Sequence, residues 1–265
     1  ILDASEKYID EATAVWHANH FAVFMFGRNQ HGGEAIGILT ETFAGAGGAR
    51  SFGDGVDVGG EIPNPISRMA NVETMENEFP MRYLFRRRMM DSGGAGKYRG
   101  GLGMEIALVP HDAPDDGIHY VISGKGADFP MSEGLAGGYP GAPNSYIWVH
   151  NNEASDASKN EDTRYAQQVD NMAGNQERIS WGVYPLMGED SLYLRWNGGG
   201  GFGDPLERDP EALLTDCRER IVSPEVANDV YGVVFANDLK SVDEVATATR
   251  RKELRGARTT LGTTE

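Results

Sequence analysis

The chain of 265 residues is 40% hydrophobic, which suffices for one large core or two smaller domains. Its formal net charge of −16 disfavours contact with nucleic acid or anionic membranes, and no apolar run approaches the ~20 residues of a membrane span. We therefore expect neither nucleic acid nor a membrane among its partners. Cys217 is the single cysteine, which excludes an intrachain disulfide and favours the reducing cytoplasm.

In chain order, the first element is an amphipathic helix, predicted over residues 1–18 from apolar residues at helical spacing. Because the chain opens at Ile1 within this helix, we expect a processed or truncated product. A helical turn is predicted at residues 71–78. Short apolar or alternating runs predict β-strands at residues 21–27, 35–43, 80–90, 104–110, 120–123, 146–150, 178–184 and 191–196, of which the last two are expected to pair.

Three glycine-dense stretches lie between these strands, at residues 45–60, 91–103 and 197–203. Charged and aromatic residues are interleaved among the glycines, unlike the repeated Gly and Ser of a flexible linker. We therefore expect many tight, specified turns between strands. The polar segment 151–175 has almost no large aliphatic residues, which predicts an exposed and mobile excursion.

The end of the chain carries helix start signals. Asp209 and Ser223 are each followed by proline, the pattern of an N-cap and first helical residue. A third helix is predicted over residues 242–255, basic towards its C-terminus as the helix dipole favours. The sequence thus predicts an α+β fold with helices at both ends. A β-rich body with Gly-rich loops would span residues 1–205, and a helical C-terminal segment residues 206–265.

Five segments, in their order, resemble the C-terminal half of the hydantoinase B/5-oxoprolinase family, to which ketone carboxylase large subunits are related. Two contain the glycine motif Asp91-Ser-Gly-Gly-Ala-Gly-Lys-Tyr-Arg-Gly-Gly-Leu-Gly103 and the acidic motif Asn71-Val-Glu-Thr-Met-Glu-Asn-Glu-Phe-Pro80. The others are residues 204–216, 222–234 and 242–250. A single glycine motif is weak evidence, but five motifs in the family's order are specific.

The resemblance implies a cytoplasmic, multisubunit enzyme. A hydantoinase A-like subunit would bind ATP and Mg²⁺ and phosphorylate a carbonyl or amide oxygen of a small-molecule substrate. Family members are usually about twice as long, so the N-terminal half of the same subunit is a second expected partner. We expect a divalent metal, Zn²⁺ or Mn²⁺, in that half, and no activity from this chain alone. Cyclic amide opening is the expected reaction, with ketone carboxylation or a non-catalytic scaffold role as alternatives.

Candidate site residues come from the glycine loops and the acidic motif. Two carboxylates in a glycine loop could be presented to a metal ion or to a leaving group, although Asp and Gly are also common turn residues. We expect catalytic roles for Asp54, Asp57, Asn71, Glu73, Asp91 and Arg99, and substrate-binding roles for Arg50, Arg68, Ser92, Gly93 and Gly94.

Each of these assignments has a structural alternative. The acidic motif and the arginines at 82, 86, 87 and 88 would form either a substrate clamp or a salt-bridge network. The amides of the 91–103 loop would cradle an anion or make turns. Arg99 would bind an anion or brace the loop against a carboxylate such as Asp91. His17 and His20 have ligand spacing without an evident third ligand, so no metal ligand is assigned.

Overall fold

The computed structural model describes residues 8–16, 21–61, 64–65, 69–115, 117–124, 126–150, 175–236 and 239–261. The strands are β1 (Phe21–Arg28), β2 (Glu34–Ile38), β3 (Gly60–Glu61), β4 (Asn64–Pro65), β5 (Met81–Arg88), β6 (Met104–Pro110), β7 (Ile118–Gly124), β8 (Ser145–His150), β9 (Asn175–Arg178), β10 (Gly182–Leu186), β11 (Ser191–Arg195), β12 (Phe235–Ala236) and β13 (Ser241–Val242). The α-helices are α1 (Val72–Glu78), α2 (Pro210–Arg218), α3 (Pro224–Asp229) and α4 (Glu244–Leu261).

Two antiparallel sheets form the body. One has the strand order β10-β7-β1-β2 and the other the order β5-β6-β11-β8-β9. Alternation along β7 turns Ile118, Tyr120 and Ile122 into the core, where they join Ile106 and Leu192 of the other sheet in one hydrophobic cluster. The two sheets thus share one core, and the α+β prediction is confirmed.

Most predicted strands agree with the structure, and β6 has the predicted bounds of 104–110. The second strand is shorter than predicted because residues Thr40–Phe43 form a 3-10 turn after β2. The predicted pairing of the last two strands is wrong. β10 pairs with β7 in one sheet, whereas β11 lies between β6 and β8 in the other. The short 187–190 link carries the chain across the core, a crossing that no local pattern specifies.

The predicted N-terminal helix is wrong over the part that the structure describes. A 3-10 turn at Ile9–Glu11 ends at Ala12, which is extended. The Ala14 N–H then donates to the Ala49 carbonyl at 2.8 Å, and the Val15 N–H to the Glu133 carbonyl at 3.1 Å. These long-range backbone hydrogen bonds replace the local ones of a helix. Residues 1–7 lie outside the described residues, as do 151–174 of the segment predicted to be mobile.

The first two C-terminal helices begin as predicted, whereas α4 spans Glu244–Leu261 instead of the predicted 242–255. The Asp209 carboxylate accepts a hydrogen bond from the Glu211 N–H, and the Ser223 hydroxyl accepts one from the Val226 N–H. This helical segment packs on the body through a second hydrophobic cluster that includes Leu102 and Leu213. The division of the chain at residue 205 stays a prediction. No helix in the described part of the chain is long and apolar enough to span a membrane.

The glycine-dense stretches pack side by side rather than serving mainly as turns. We call the segments 44–60, 91–103, 132–142 and 197–203 the glycine bundle. They exchange backbone hydrogen bonds in series: Gly101 N–H donates to the Gly47 carbonyl at 2.9 Å, and Gly199 N–H to the Gly101 carbonyl at 3.0 Å. A Cβ atom placed on Gly100 or Gly199 would lie well inside 3.0 Å of a backbone carbonyl oxygen. Glycine is required here for the same steric reason as at the axis of collagen.

We predict that Gly100→Ala destabilises the protein by at least ~1–3 kcal/mol, because the new methyl group meets the rigid carbonyl of Gly199. Gly256→Ala is the matched control, since a Cβ on this residue of α4 meets nothing within 4 Å. It should raise stability by ~0.5–1 kcal/mol through helix propensity. Urea unfolding followed by circular dichroism measures both. Equal stability of the two variants would contradict the packing argument.

Candidate functional site

Beside the glycine bundle, six side chains form a continuous set of ion pairs, which we call the ionic network. Three arginines alternate with three aspartates from the bundle, the end of β5 and the C-terminal segment. Its members are Arg88, Asp57, Arg99, Asp54, Arg208 and Asp216. Oppositely charged groups thus link parts of the chain that are distant in sequence.

Arg208 lies at the buried end of the network, with its side chain only 3% exposed. Its guanidinium binds both oxygens of Asp54, at 2.7 and 2.8 Å, and donates to Asp216 Oδ2 at 2.6 Å. This bidentate arrangement is the strong form of a charge-assisted hydrogen bond. Burial alone would lower the pKa of Arg208, but its bonds to Asp54 and the charge of Asp216 raise it.

Arg99 occupies the middle of the network. Its Nη1 donates to Asp57 Oδ1 at 3.0 Å and to the Gly100 carbonyl at 3.1 Å, while Nε lies 3.5 Å from Asp216 Oδ1. Burial opposes the charge on Arg99, yet Asp57, Asp216 and Asp54 together raise its pKa. The geometry supports the bracing alternative, although these three aspartates and not Asp91 are the partners. The catalytic role of Arg99 stays a prediction.

Asp54 and Asp57 each accept a backbone hydrogen bond in addition to their ion pairs. Burial would raise the pKa of Asp54, but Arg208 and Arg99 hold it below its usual value. Asp54 Oδ1 also accepts the Arg99 backbone N–H at 2.8 Å, and Asp57 Oδ1 accepts the Leu102 N–H at 2.9 Å. A carboxylate with a lowered pKa is a weak general base. Asp54 therefore suits positioning better than proton abstraction.

The network has one end open to solvent. The Arg88 side chain is 51% exposed and donates to Asp57 Oδ2 at 2.8 Å. Asp54 is 34% exposed, in contrast to the buried Arg208. A solute reaching this part of the protein would therefore meet Arg88, Asp54 and Asp57.

Three arginines on one face of α4 hold the segment that carries Arg208. Spaced at i, i+4 and i+7, Arg251 donates to the Arg208 carbonyl at 2.6 Å, Arg255 to the Leu206 carbonyl at 3.4 Å and Arg258 to Asp204 Oδ1 at 2.8 Å. The helix thus fixes the backbone from which the Arg208 side chain reaches Asp54.

Of the predicted site residues, the structure brings together Asp54, Asp57 and Arg99. Asp91 has a different position: it adopts a positive φ of 61°, and its carboxylate accepts the Ser223 N–H at 2.8 Å. It therefore joins the glycine bundle to the start of α3. Ser92 is fully buried, where its hydroxyl donates to the Met89 carbonyl at 2.6 Å and accepts the Gly103 N–H at 3.0 Å.

Gly93 and Gly94 pack tightly within the bundle, where a Cβ on either would lie well inside 3.0 Å of a backbone carbonyl oxygen. The N–H groups of Gly94, Gly100 and Gly101 donate to the carbonyls of Gly199, Gly94 and Gly47. These three amides are therefore not free to cradle an anion. The alternative hypothesis, that this loop has a structural role, has the stronger support.

The acidic motif lies apart from the network. Asn71 precedes α1 without a side-chain capping bond, and Glu73 is exposed on that helix. Neither side chain forms a hydrogen bond or an ion pair with another described residue. Arg50 is half-buried, with its guanidinium 6.0 Å from the ring centre of Phe52. Arg68 lies outside the described residues.

Three of the four arginines of β5 pair with residues outside the acidic motif, and Arg88 among them belongs to the ionic network. Arg87 pairs with Glu105 at 2.7 Å, and Arg86 with Glu41 at 2.8 Å. Glu41 is fully buried and also accepts the Tyr83 hydroxyl at 3.1 Å. Burial and the Glu41 charge raise the pKa of Tyr83, which stays protonated.

Sequence reasoning missed Glu41, Arg208 and Asp216. Their buried charges were indistinguishable from surface charges in the sequence. The one local signal was the position of Arg208 just before the N-cap residue Asp209.

The described residues do not fit the divalent metal that the family resemblance implies. No group of three or more His, Cys, Asp and Glu among them is arranged to hold a metal ion. His17 and His20 lie outside the described part of the chain. Burial raises the pKa of the Cys217 thiol to about 12, which keeps it protonated and unreactive at neutral pH.

Residues 1–205 match the family model described as Hydantoinase B/oxoprolinase. The chain belongs to this family. It is 30% identical to the acetone carboxylase alpha subunit of Xanthobacter autotrophicus in an alignment of 224 positions that covers 78% of this chain and 28% of that protein. It is 28% identical to the acetophenone carboxylase delta subunit of Aromatoleum aromaticum in an alignment of 253 positions that covers 91% of this chain and 36% of that protein.

A third relative is the beta subunit of the caprolactamase of Pseudomonas jessenii, 28% identical in an alignment of 250 positions that covers 91% of this chain and 38% of that protein. Among solved structures, nucleotide-free acetone carboxylase superposes with a TM-score of 0.80 and 29% identity, covering 96% of this chain and 35% of that chain. This chain thus spans between 28% and 38% of the length of these relatives.

We predict that Arg208→Met destabilises the protein by ~3–5 kcal/mol, because it removes the guanidinium that binds Asp54 and the buried Asp216 most closely and leaves them only the more distant Arg99. Arg250→Met is the matched control, since Arg250 pairs with the largely exposed Asp229, and such surface pairs contribute ~0–1 kcal/mol. Thermal unfolding monitored by calorimetry distinguishes them. Similar melting temperatures for the two variants would show that the network does not stabilise the fold.

Asp54 also predicts a pH dependence. Because its pKa is lower in the folded than in the unfolded state, its stabilisation is present above the unfolded value near ~3.9 and is lost as the pH falls through the folded value. The melting temperature should therefore fall more steeply below about pH 4 in the natural protein than in Asp54→Asn. Asp229→Asn, at an exposed ion pair, should keep the natural slope. Parallel curves for all three proteins would refute this origin.

Proposed function

We propose that this chain is part of one subunit in a multisubunit, ATP-dependent enzyme that carboxylates a small ketone. The observation that carries the proposal is the similarity to acetone carboxylase, which extends over 96% of this chain with a TM-score of 0.80. Two carboxylase subunits among the sequence relatives, one for acetone and one for acetophenone, give further support.

In this proposal the chemistry is divided among several polypeptides. ATP and Mg²⁺ bind to a hydantoinase A-like ATPase, which phosphorylates the carbonyl oxygen of the ketone. A divalent metal, Zn²⁺ or Mn²⁺, is held by the part of the family subunit that this chain does not span. The assembly acts in the cytoplasm. The N–H groups of Gly94, Gly100 and Gly101 already donate to backbone carbonyls, which supports placing the phosphate-binding groups outside this loop.

This chain itself contributes a rigid scaffold with one polar, solvent-facing end. Arg99 and Arg208 hold the carboxylates of Asp54 and Asp57 in place, so the loop between these two aspartates has a fixed backbone. Arg88 at the open end supplies a guanidinium that suits a bicarbonate or phosphate oxyanion. We assign a positioning role to the network and an oxyanion-binding role to Arg88.

Cyclic amide opening is the second candidate. It is supported by the beta subunit of caprolactamase, 28% identical over 91% of this chain, and by a B-type D-/L-hydantoinase subunit from a Pseudomonas strain, 27% identical over 81%. In the proposed scheme, both reactions begin when ATP activates a carbonyl oxygen. They then differ in the next reactant, which is bicarbonate in ketone carboxylation and water in cyclic amide opening.

The test is an assay of the native assembly with ATP, Mg²⁺ and ¹⁴C-bicarbonate. Acetone and acetophenone are the ketone substrates, and caprolactam, hydantoin and 5-oxoproline the cyclic amides. We expect ATP-dependent incorporation of label with a ketone, and loss of the ketone that stops when bicarbonate is replaced by chloride.

Cyclic amide loss that needs ATP but no bicarbonate would reject the ketone proposal in favour of the second candidate. The 265-residue chain alone is the control, and we expect it neither to hydrolyse ATP nor to consume substrate. Turnover by that chain alone would contradict the proposed division of labour.

A further inference from the structure

The outer face of the sheet β10-β7-β1-β2 is apolar across all four strands. In the strand register, Phe24 lies opposite Ile38 on one side and Val121 on the other, and Val121 lies opposite Val183. The next row brings together Phe26, Ile36, His119 and Pro185. Phe24, Phe26, Ile36 and Val183 are all exposed, Ile36 by 77%. We call these two rows the outer face.

This sheet departs from the usual pattern of antiparallel sheets. Such a sheet normally has one apolar face against the core and one polar face in water. Here Val23, Met25 and Ile122 fill the core on one side, while the outer face carries aromatic and branched aliphatic side chains on the other. Contiguous apolar surface of this kind marks an interaction site.

The borders of the outer face fit an interface with a dry centre and a polar rim. Arg28 and Glu34 lie opposite each other at one end. Near the other end Trp181 is 64% exposed. At the centre, Phe26 stacks on the His119 ring with 5.0 Å between ring centres. An apolar centre with aromatic anchors and charged margins is the usual anatomy of a stable protein interface.

Two observations identify the occupant. Each relative described above contains, beyond the region equivalent to this chain, more than half of its own length, so additional polypeptide belongs to every such subunit. A second copy of this chain is disfavoured, because two surfaces of molecules with net charge −16 would repel each other. An apolar face of this extent also suits a permanent contact better than a transient one.

We propose that the outer face is the docking surface for the remainder of the hydantoinase B-type subunit, the part that this chain does not span. The inference rests on family membership and on the partner named in the proposed function, not on the reaction catalysed. It applies whether that remainder is continuous with these 265 residues or is a separate polypeptide.

The test is site-specific photo-cross-linking in the native assembly. A benzoylphenylalanine replaces Ile36 in one preparation and Val245 in the other, because the two side chains are similarly exposed, by 77% and 79%, and only Ile36 belongs to the outer face. Peptide mass spectrometry then identifies the cross-linked partner. We expect Ile36→benzoylphenylalanine to cross-link to family-subunit sequence outside the 265 residues, at a yield at least ~10-fold above that from position 245, because a side chain at the centre of an interface is in contact with the partner.

Cross-links from position 36 to a second copy of this chain, to the ATPase, or to no protein would each overturn the proposal. Carbene footprinting of the unmodified assembly gives an independent measurement that needs no variant. Ile36 should be labelled at least ~10-fold less than Val245, although the chain alone exposes both equally. Equal labelling would also refute docking. Ketone turnover is measured on the same preparations, so a failed assay with successful cross-linking would reject the reaction and keep the surface.

Discussion

Backbone carbonyls packed directly against glycine Cα atoms are the contact on which the rest of this protein depends. Segments as distant in sequence as Gly47, Gly101 and Gly199 meet without any side chain between them. Since each approach excludes a Cβ atom, the relative positions of these segments have little freedom. The C-terminal helices pack on the glycine bundle through Leu102 and its neighbours.

Charge then fixes what the glycine contacts bring together. The bundle places Asp54 and Arg99 next to each other, and Arg208 reaches them from a segment held by three arginines of α4. Buried ion pairs are costly unless every partner is present. The ionic network therefore ties the helical segment to the body, and it leaves only Arg88 and the nearby carboxylates facing solvent. A scaffold with one open polar end is consistent with a part that works inside a larger assembly.

How much of this was accessible from the sequence depends on the range of each interaction. The strand 104–110 and the caps at Asp209 and Ser223 are determined by neighbours within a few residues, and they were predicted correctly. The N-terminal helix failed because Ala14 and Val15 bond instead to residues far along the chain. Asp54 and Arg208 pair although they are 154 positions apart, and no local sequence pattern predicts such a contact. The site was therefore predicted only in part. The high glycine content was interpreted as a sign of tight turns, whereas its main role is to let backbone segments pack closely against each other.

The glycine bundle also constrains the order in which the protein forms. Ala49 donates to the carbonyl of Gly200, and Gly200 donates to that of Val15, so contacts near the start of the chain are completed only by residues near position 200. Such long sequence separations slow folding, because loop-closure entropy is lost before the contacts form. During synthesis, the early glycine segments must therefore wait until the 197–203 stretch has left the ribosome. Nascent chains that stop short of it lack the backbone partners of Ala49 and Val15, so the glycine bundle can be completed only once this stretch is available.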